Sequence, residues 1–172
     1  MKTIGYKLIF ILGITVLSGC GYKFSGASIP PEMKTINVEF FENNAPLVVP
    51  NLSQSFTEDL KERIRTQTKL SIVQGEAQGK FEGRITGYDI KPIAIQDNTR
   101  PVAGANRLTI TIHVKYTNRV KDHEKEGFEQ DFTAFTDFSL AGQSLQSQEQ
   151  GLIKKVNIQL TENIFNRAFA QW

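Results

Sequence analysis

The residues of this chain that could perform acid–base, nucleophilic or metal chemistry are few and scattered. The sequence has two histidines, His113 and His123, and one cysteine, Cys20. Zinc sites need three or four such ligands held together, and no GxSxG, P-loop or HExxH motif is present. Paired carboxylates can hydrolyse glycosidic bonds, but no spacing selects two among Glu82, Asp89, Asp131 and Asp137. We therefore expect neither an enzyme nor a bound cofactor or metal, and a small periplasmic hydrolase is an unsupported alternative.

The single cysteine stands at the end of a segment with the features of an export signal. Lys2 and Lys7 are basic, and they precede an apolar run over residues 8–17. A helix that crosses a bilayer needs about 20 apolar residues, so a cleaved signal peptide is the better interpretation. Leu17-Ser18-Gly19-Cys20 resembles the lipobox of bacterial lipoproteins, in which the cysteine sulfur is acylated before cleavage. The alternative is an ordinary secretory signal with a chance cysteine.

Acylation of Cys20 would decide where the protein resides. Burial of an acyl chain contributes about 0.8 kcal/mol per methylene, so two or more chains of the palmitate type hold a protein firmly on a membrane. Gly21 follows the cysteine where an aspartate would favour the inner membrane, which predicts the outer membrane on its periplasmic side. The predicted organisation is a signal peptide over 1–19, a lipidated lead-in over 20–33 and a single α/β domain over 34–172.

Composition and charge narrow the possible partners of the mature chain. The 172 residues are 40% hydrophobic, which is typical of a globular protein, and the formal net charge is +2. Removal of Lys2 and Lys7 leaves 18 basic against 18 acidic side chains, because the full sequence has 20 and 18. Nucleic-acid affinity comes mainly from clustered Lys and Arg. We therefore expect no nucleic-acid partner.

Hydrophobic periodicity over the mature domain predicts an α+β fold. A period of two predicts strands, and a period of 3.6 predicts helices. The order of the predicted elements is β-α-β-β-β-α, which packs most simply as two helices on one face of a four-stranded, mostly antiparallel sheet. The strands are predicted over 34–40, around Phe81, Gly83, Ile85 and Gly87, along Leu108, Ile110, Ile112, Val114 and Tyr116, and along Phe128, Phe132, Ala134 and Phe138; the helices carry Leu52, Phe56, Leu60 and Ile64, and then span about Ser147 to Ala170.

Three aromatic side chains fall outside the predicted buried faces. They are Phe41, Phe135 and Trp172, and exposed aromatic residues are enriched at protein interfaces. The expectation is that they face a partner, and the alternative is that a bulge or a helix end covers them. The segment 96–105 is also longer than a usual hairpin connection, and such loops are often functional.

Three segments together resemble the LptE family of lipopolysaccharide-assembly lipoproteins. They are Cys20-Gly21-Tyr22-Lys23-Phe24-Ser25-Gly26, Ile29-Pro30 before the first strand, and Pro50-Asn51-Leu52-Ser53-Gln54-Ser55-Phe56 at the start of the first helix. The resemblance covers essentially the whole mature chain. It implies an outer-membrane lipoprotein that performs no reaction, plugs and helps assemble an outer-membrane β-barrel of the LptD type, and engages lipopolysaccharide on its way to the cell surface.

The resemblance also implies basic side chains that meet the anionic head group of lipopolysaccharide. In the family they lie near the loop after the second main strand and just before the last helix, but here residues 143–150 contain no Lys or Arg. Arg100 and Arg107 are the remaining candidates, with solvated surface charges as the alternative. A second function stays open, namely an envelope lipoprotein that binds a periplasmic ligand or modulates an envelope enzyme.

Overall fold

The structure is a computed structural model that describes residues 29–95 and 102–170. The predicted signal peptide, Cys20, Arg100 and Trp172 lie outside the described residues. The elements in chain order are β1 (Thr35–Val38), β2 (Glu42–Asn43), α1 (Leu52–Gln67), β3 (Ser71–Ile72), β4 (Gly79–Ile95), β5 (Val102–Asn118), a short 3-10 turn (Glu124–Glu126), β6 (Phe128–Ser139) and α2 (Leu145–Phe169).

One mixed sheet of six strands forms the frame of the domain. Its order is β3-β1-β4-β5-β6, and β2 pairs with β4 next to β1. The strands β4, β5 and β6 form an antiparallel meander, whereas β1 runs parallel to both β3 and β4, and β2 runs parallel to β4. Two long strands, β4 and β5, carry most of the pairing and span 17 residues each.

Both helices pack on the same face of this sheet, here called the helix-covered face. The alternate residues of β5 from Leu108 to Tyr116 are buried there, as the sequence predicts. The stripes Leu52, Phe56, Leu60 and Ile64 of α1 and Leu152, Val156, Leu160, Ile164 and Ala168 of α2 are buried against them. The core is therefore a single layer between the sheet and two helices.

Polar contacts join the two helices and show that they run in the same direction. The Asn157 amide donates to an Asp59 carboxylate oxygen at 3.0 Å, and Lys154 forms an ion pair with the same carboxylate. One turn further along α1, Arg63 Nε donates to Thr161 Oγ1 at 3.0 Å. Because the partners advance together along both helices, α1 and α2 are parallel.

The sheet is larger and more mixed than the predicted four-stranded, mostly antiparallel one. The α+β class and the two helices are confirmed. The strands β2 and β3 have two residues each, too short to display an alternating pattern, and they add two of the three parallel pairs at the β1 side. The first residue of α2 is Leu145, and Ser144 caps the helix by accepting a hydrogen bond from the Ser147 amide at 3.3 Å.

A tyrosine fixes the start of α2 to the middle of β4. The Tyr88 hydroxyl donates to Glu149 Oε1 at 2.8 Å, and Tyr88 itself is buried. Burial, and then the carboxylate of Glu149, raise the pKa of this hydroxyl. The phenol therefore stays protonated and remains a donor to Glu149.

Candidate functional site

The face of the sheet opposite the helices, here called the open face, is covered by no helix among the described residues. It is built from alternate residues of β4, β5 and β6 that pair in rows across the three strands. A β-bulge between Ile85 and Gly87 shifts the alternation of β4, so that Tyr88 is buried and Gly87 lies opposite Thr111. The rows are Glu82, Lys115 and Glu129; Arg84, His113 and Asp131; Gly87, Thr111 and Thr133; Asp89, Thr109 and Phe135; and Lys91, Arg107 and Asp137.

The first row and its neighbours form a chain of alternating charges. Lys80 Nζ lies 2.7 Å from Glu39 Oε1 and 2.6 Å from Glu82 Oε2, and Lys115 Nζ lies 3.2 Å from Glu82 Oε1. Hydrogen bonds that Lys80 donates to Glu39 and then to Glu82 raise the pKa of Lys80, and the hydrogen bond from Lys80 is the main reason that the pKa of Glu82 is lowered. Each charge in this row therefore already has a partner within the domain.

In the second row a histidine lies between two carboxylates. His113 Nδ1 lies 2.7 Å from Asp131 Oδ1, and His113 Nε2 lies 3.0 Å from Glu129 Oε1. Hydrogen bonds to Glu129 and then Asp131 raise the pKa of His113 above its usual value, while burial and the charge of Arg84 oppose the increase. The protonated imidazole can donate to both carboxylates at once and join β5 to β6.

The middle of the open face is uncharged. Thr111 Oγ1 and Thr133 Oγ1 lie 3.0 Å apart, and the Thr86 hydroxyl donates to the Thr111 carbonyl at 3.4 Å. These hydroxyl groups retain further donor and acceptor capacity. This part of the surface suits a partner that offers hydrogen bonds.

At the other end, a guanidinium group combines an ion pair with an aromatic contact. Arg107 Nε lies 2.7 Å from Asp137 Oδ1, and Nη2 lies 2.9 Å from Oδ2. The same guanidinium stacks over the Phe135 ring, with Arg107 Cζ 3.8 Å from the ring centre. The hydrogen bond from Arg107 is the largest contribution that lowers the pKa of Asp137. The ion pair and the ring contact together fix the guanidinium group on the open face.

Neither a metal-binding cluster nor a membrane-spanning helix is found among the described residues. No group of three or more His, Cys, Asp or Glu among them is placed to hold a metal ion. Likewise, within residues 29–95 and 102–170, no helix combines the length and apolar character needed to span a membrane.

Comparison with known proteins identifies the family of this chain. The model of the family described as "LptE: Lipopolysaccharide-assembly" matches residues 33–168. The chain belongs to the LptE family. The match contains the whole sheet, α1 and all of α2 except its last residue. No curated protein matches the chain significantly in sequence.

Solved structures similar to this LptE-family chain share its fold at very low sequence identity. The hypothetical protein CT253 from Chlamydia trachomatis has a TM-score of 0.56 and 8% identity, with 81% of this chain and 99% of that chain covered. Uncharacterized lipoprotein B from Nitrosomonas europaea has a TM-score of 0.50 and 16% identity, with 84% and 88% covered. These similarities concern the α+β architecture of the LptE-family domain.

Of the predicted site residues, the structure brings Arg107 and Phe135 together. Phe135 is 46% exposed, so its exposure is confirmed, and a partner-facing role stays a prediction. Arg107 lies beside it on the open face of the LptE-family domain. Nothing in the sequence indicated that Asp137 would bind the same guanidinium, because the cross-strand register of β5 and β6 determines that contact.

The prediction that Phe41 is exposed is wrong. Phe41 is completely buried, its ring lies edge-to-face on Phe56 of α1 with centres 5.1 Å apart, and its amide donates to Thr57 Oγ1 at 3.1 Å. Three residues separate the end of β1 at Val38 from the start of β2 at Glu42, so the alternation of β1 does not extend to Phe41. The neighbouring Phe40 is exposed instead, at 58%.

A group of exposed apolar side chains lies on the connection from β2 to α1 and was missed in the sequence. Leu47 and Val48 are 54% and 70% exposed. Leu47 and Pro46 line a cleft of about 570 Å³ with residues 86–90 of β4. The Pro-rich composition of 44–50 predicted only a break between elements, since a loop has no periodicity from which exposure can be derived.

Proposed function

We propose that this chain is a lipid-anchored outer-membrane lipoprotein that acts as plug and assembly partner of an LptD-type β-barrel in lipopolysaccharide transport. The match of the LptE family model over residues 33–168 carries this proposal. The acylated residue is Cys20, the domain is on the periplasmic side, and the role involves no catalysed reaction.

The character of the open face supports a plug role. A charged group that leaves water loses solvation free energy unless a partner compensates for it. On the open face Lys80, Lys115, His113 and Arg107 each have a carboxylate partner within the domain. Such a surface can enter a polar barrel lumen and form hydrogen bonds there with a small loss of charge solvation.

This proposal includes contact between Arg107 and the lipopolysaccharide head group. The Arg107 side chain is 38% exposed, and its guanidinium donates to both oxygens of Asp137. An anionic head group would therefore have to replace Asp137 or share the guanidinium with it. Arg100 is the second candidate of the same proposal, and it lies outside the described residues.

Immunoprecipitation of the native lipoprotein from detergent-solubilised envelopes tests the proposal. We expect an LptD-type barrel in stoichiometric amount, and acylation of Cys20 by mass spectrometry of the N-terminal peptide. Depletion of the protein is expected to reduce lipopolysaccharide at the cell surface. Absence of the barrel from the precipitate, with surface lipopolysaccharide unchanged, would reject the plug function. The Cys20→Ala variant, which cannot be acylated, is the control for anchoring.

A second candidate function is the binding of a periplasmic ligand. A cleft of about 690 Å³ lies between the lead-in and the end of α1, lined by Ile29, Pro30, Met33, Lys34, Lys69 and Leu70 among others. This volume is within the range of small-molecule sites, which are about 300–1,000 Å³. A ligand retained by the purified protein without any barrel, and identified by mass spectrometry, would favour this function.

A further inference from the structure

The strand β6 ends the sheet on one side. The order β3-β1-β4-β5-β6 leaves it with β5 as its one neighbour among the described strands. An outer strand presents backbone N–H and C=O groups that can pair with a strand of another chain. The direction of these backbone groups decides which residues of β6 are available to pair with another strand.

Two contacts between the β4 and β5 segments fix that direction. The amide of Arg119, just after β5, donates to the Gln78 carbonyl at 2.7 Å, and the His113 carbonyl is directed at Gly83 of β4. Odd-numbered residues of β5 therefore direct their backbone groups toward β4, and even-numbered ones toward β6. Since even-numbered residues of β5 and β6 are paired, the odd-numbered residues of β6 direct their N–H and C=O groups outward.

The helix α2 covers one half of this outer edge. Gln159 Nε2 donates to the Phe135 carbonyl at 3.3 Å, and Gln148 Nε2 donates to the Ser139 carbonyl at 3.1 Å. Both acceptors are odd-numbered, which agrees with the outward direction. The other half, here called the β6 edge, consists of the backbone groups of Glu129, Asp131 and Thr133, for which the described chain shows no backbone partner.

The β6 edge lacks three of the features with which proteins often protect an outer strand. Such strands often carry proline, lysine or a bulge. The strand β6 contains no proline or lysine, and its register with β5 is continuous over 12 pairs. The free part of β4 beyond Ile85, in contrast, carries Lys91 and Pro92. These two long edges therefore differ, and β6 is the one of the two that is suited to pairing.

We propose that an extended segment of the barrel partner, bearing Lys or Arg side chains, pairs with the β6 edge and adds a strand to the sheet. This inference rests on the proposed function and names the surface that it would use. Backbone hydrogen bonds supply affinity in such strand addition, and alternate side chains supply specificity.

Charge identifies the occupant as a cationic segment and argues against a second copy of this chain. The side chains of Glu129 and Asp131 are 57% and 63% exposed beside the β6 edge. Like charges placed opposite each other across strands are destabilising, and opposite charges are favourable. Antiparallel pairing of two β6 strands would bring these carboxylates together, whereas Lys or Arg on a partner strand would lie next to them.

Hydrogen exchange of single amides tests this pairing directly. In the lipoprotein alone, we expect the amides of Glu129, Asp131 and Thr133 to exchange at least tenfold faster than those of Phe132 and Ala134, which bond to β5. In the complex co-purified with the LptD-type barrel, the three outward amides should slow by at least tenfold. An intact complex in which they stay fast overturns the strand addition and leaves the proposed function standing.

Two further outcomes separate the remaining possibilities. Failure of any barrel to co-purify rejects the proposed function and this inference with it. Slowing of the three amides with increasing concentration of the lipoprotein alone identifies a second copy as the occupant and also overturns the inference.

A matched pair of variants tests the same surface through the amount of barrel that co-purifies. Thr133→Pro removes an outward N–H, whereas Thr133→Val keeps it, and both lose the hydroxyl contact with Thr111. We expect Thr133→Pro to lower recovery of the barrel at least about fivefold relative to Thr133→Val. Equal recovery with both variants, at unchanged melting temperatures, contradicts the inference. If Thr133→Pro fails to fold, the exchange rates of the unaltered chain decide.

Discussion

The position of Gly83 in β4 gives the most direct test of this structure. An ideal Cβ at Gly83 would lie 2.1 Å from the His113 carbonyl oxygen and 2.7 Å from Cε1 of Phe41. Neither neighbour is the free end of a flexible side chain, because one is sheet backbone and the other is a buried ring. Gly83→Ala therefore requires β4 to move away from β5 or Phe41 to leave its place on α1.

The loss of unfolding free energy in Gly83→Ala follows from these contacts. Overpacking of a buried site costs about 1–3 kcal/mol, and a weakened hydrogen bond between β4 and β5 adds about 1 kcal/mol. We expect Gly83→Ala to lower the free energy of unfolding by about 3 kcal/mol. For a domain of this size that corresponds to a decrease of roughly 6–12 °C in melting temperature.

Gly151 in α2 provides the matched control. It is exposed, and a Cβ there would meet nothing within 4 Å. Alanine is favoured over glycine inside a helix by about 1 kcal/mol, so Gly151→Ala should raise the free energy of unfolding. Urea unfolding followed by circular dichroism measures both variants. A Gly83→Ala domain as stable as the unaltered protein would refute the close approach of Phe41 and β5 around this glycine.

Three further predictions concern the open face and α2. Because the pKa of His113 is raised in the folded protein, protonated His113 stabilises the fold below its unfolded pKa near 6.5, and this stabilisation is lost as pH rises through its folded pKa. Urea titrations between pH 5 and pH 8 should show this loss in the unaltered protein. A His113→Gln variant with the same pH dependence of unfolding free energy would contradict it. Tyr88→Phe should cost about 1–2 kcal/mol of unfolding free energy, because it removes a buried hydrogen bond to a carboxylate. Tyr116→Phe should cost less in the same urea assay, because the Tyr116 hydroxyl donates to a thioether sulfur at 3.8 Å. Asp137→Asn should release the guanidinium of Arg107 and increase binding of purified lipopolysaccharide at least about threefold; unchanged binding would exclude Arg107 as a head-group contact.

Strong periodicity made part of the fold predictable. The alternation from Leu108 to Tyr116 correctly gave the buried face of β5, and the four-residue spacing from Leu52 to Ile64 gave that of α1. These patterns are local and long, so a single burial direction repeats often enough to be recognised. The polar character of the open face followed from the same alternation.

Periodicity did not predict burial correctly where strands are short or their pairing is irregular. Regular alternation along β4 would place Gly87 on the same face as Ile85, but the bulge after Ile85 reverses the faces of β4. The sequence pattern predicted that Phe41 is exposed, since the contacts that bury it, with α1 and Gly83, join residues distant in sequence. A pattern of two residues, such as β2 or β3, carries no periodicity at all.

The sequence by itself determined the family resemblance, the α+β class, both helices and the long buried strands, since each of these depends on residue types at neighbouring or regularly spaced positions. Tertiary structure alone decided which charges meet. Arg107 binds Asp137, 30 residues away, and His113 lies between Glu129 and Asp131. Cross-strand register creates these pairs, because it brings together side chains whose separation along the chain follows no local rule. The part of the β6 edge without a backbone partner among the described residues is likewise a property of strand order, which only the folded sheet possesses.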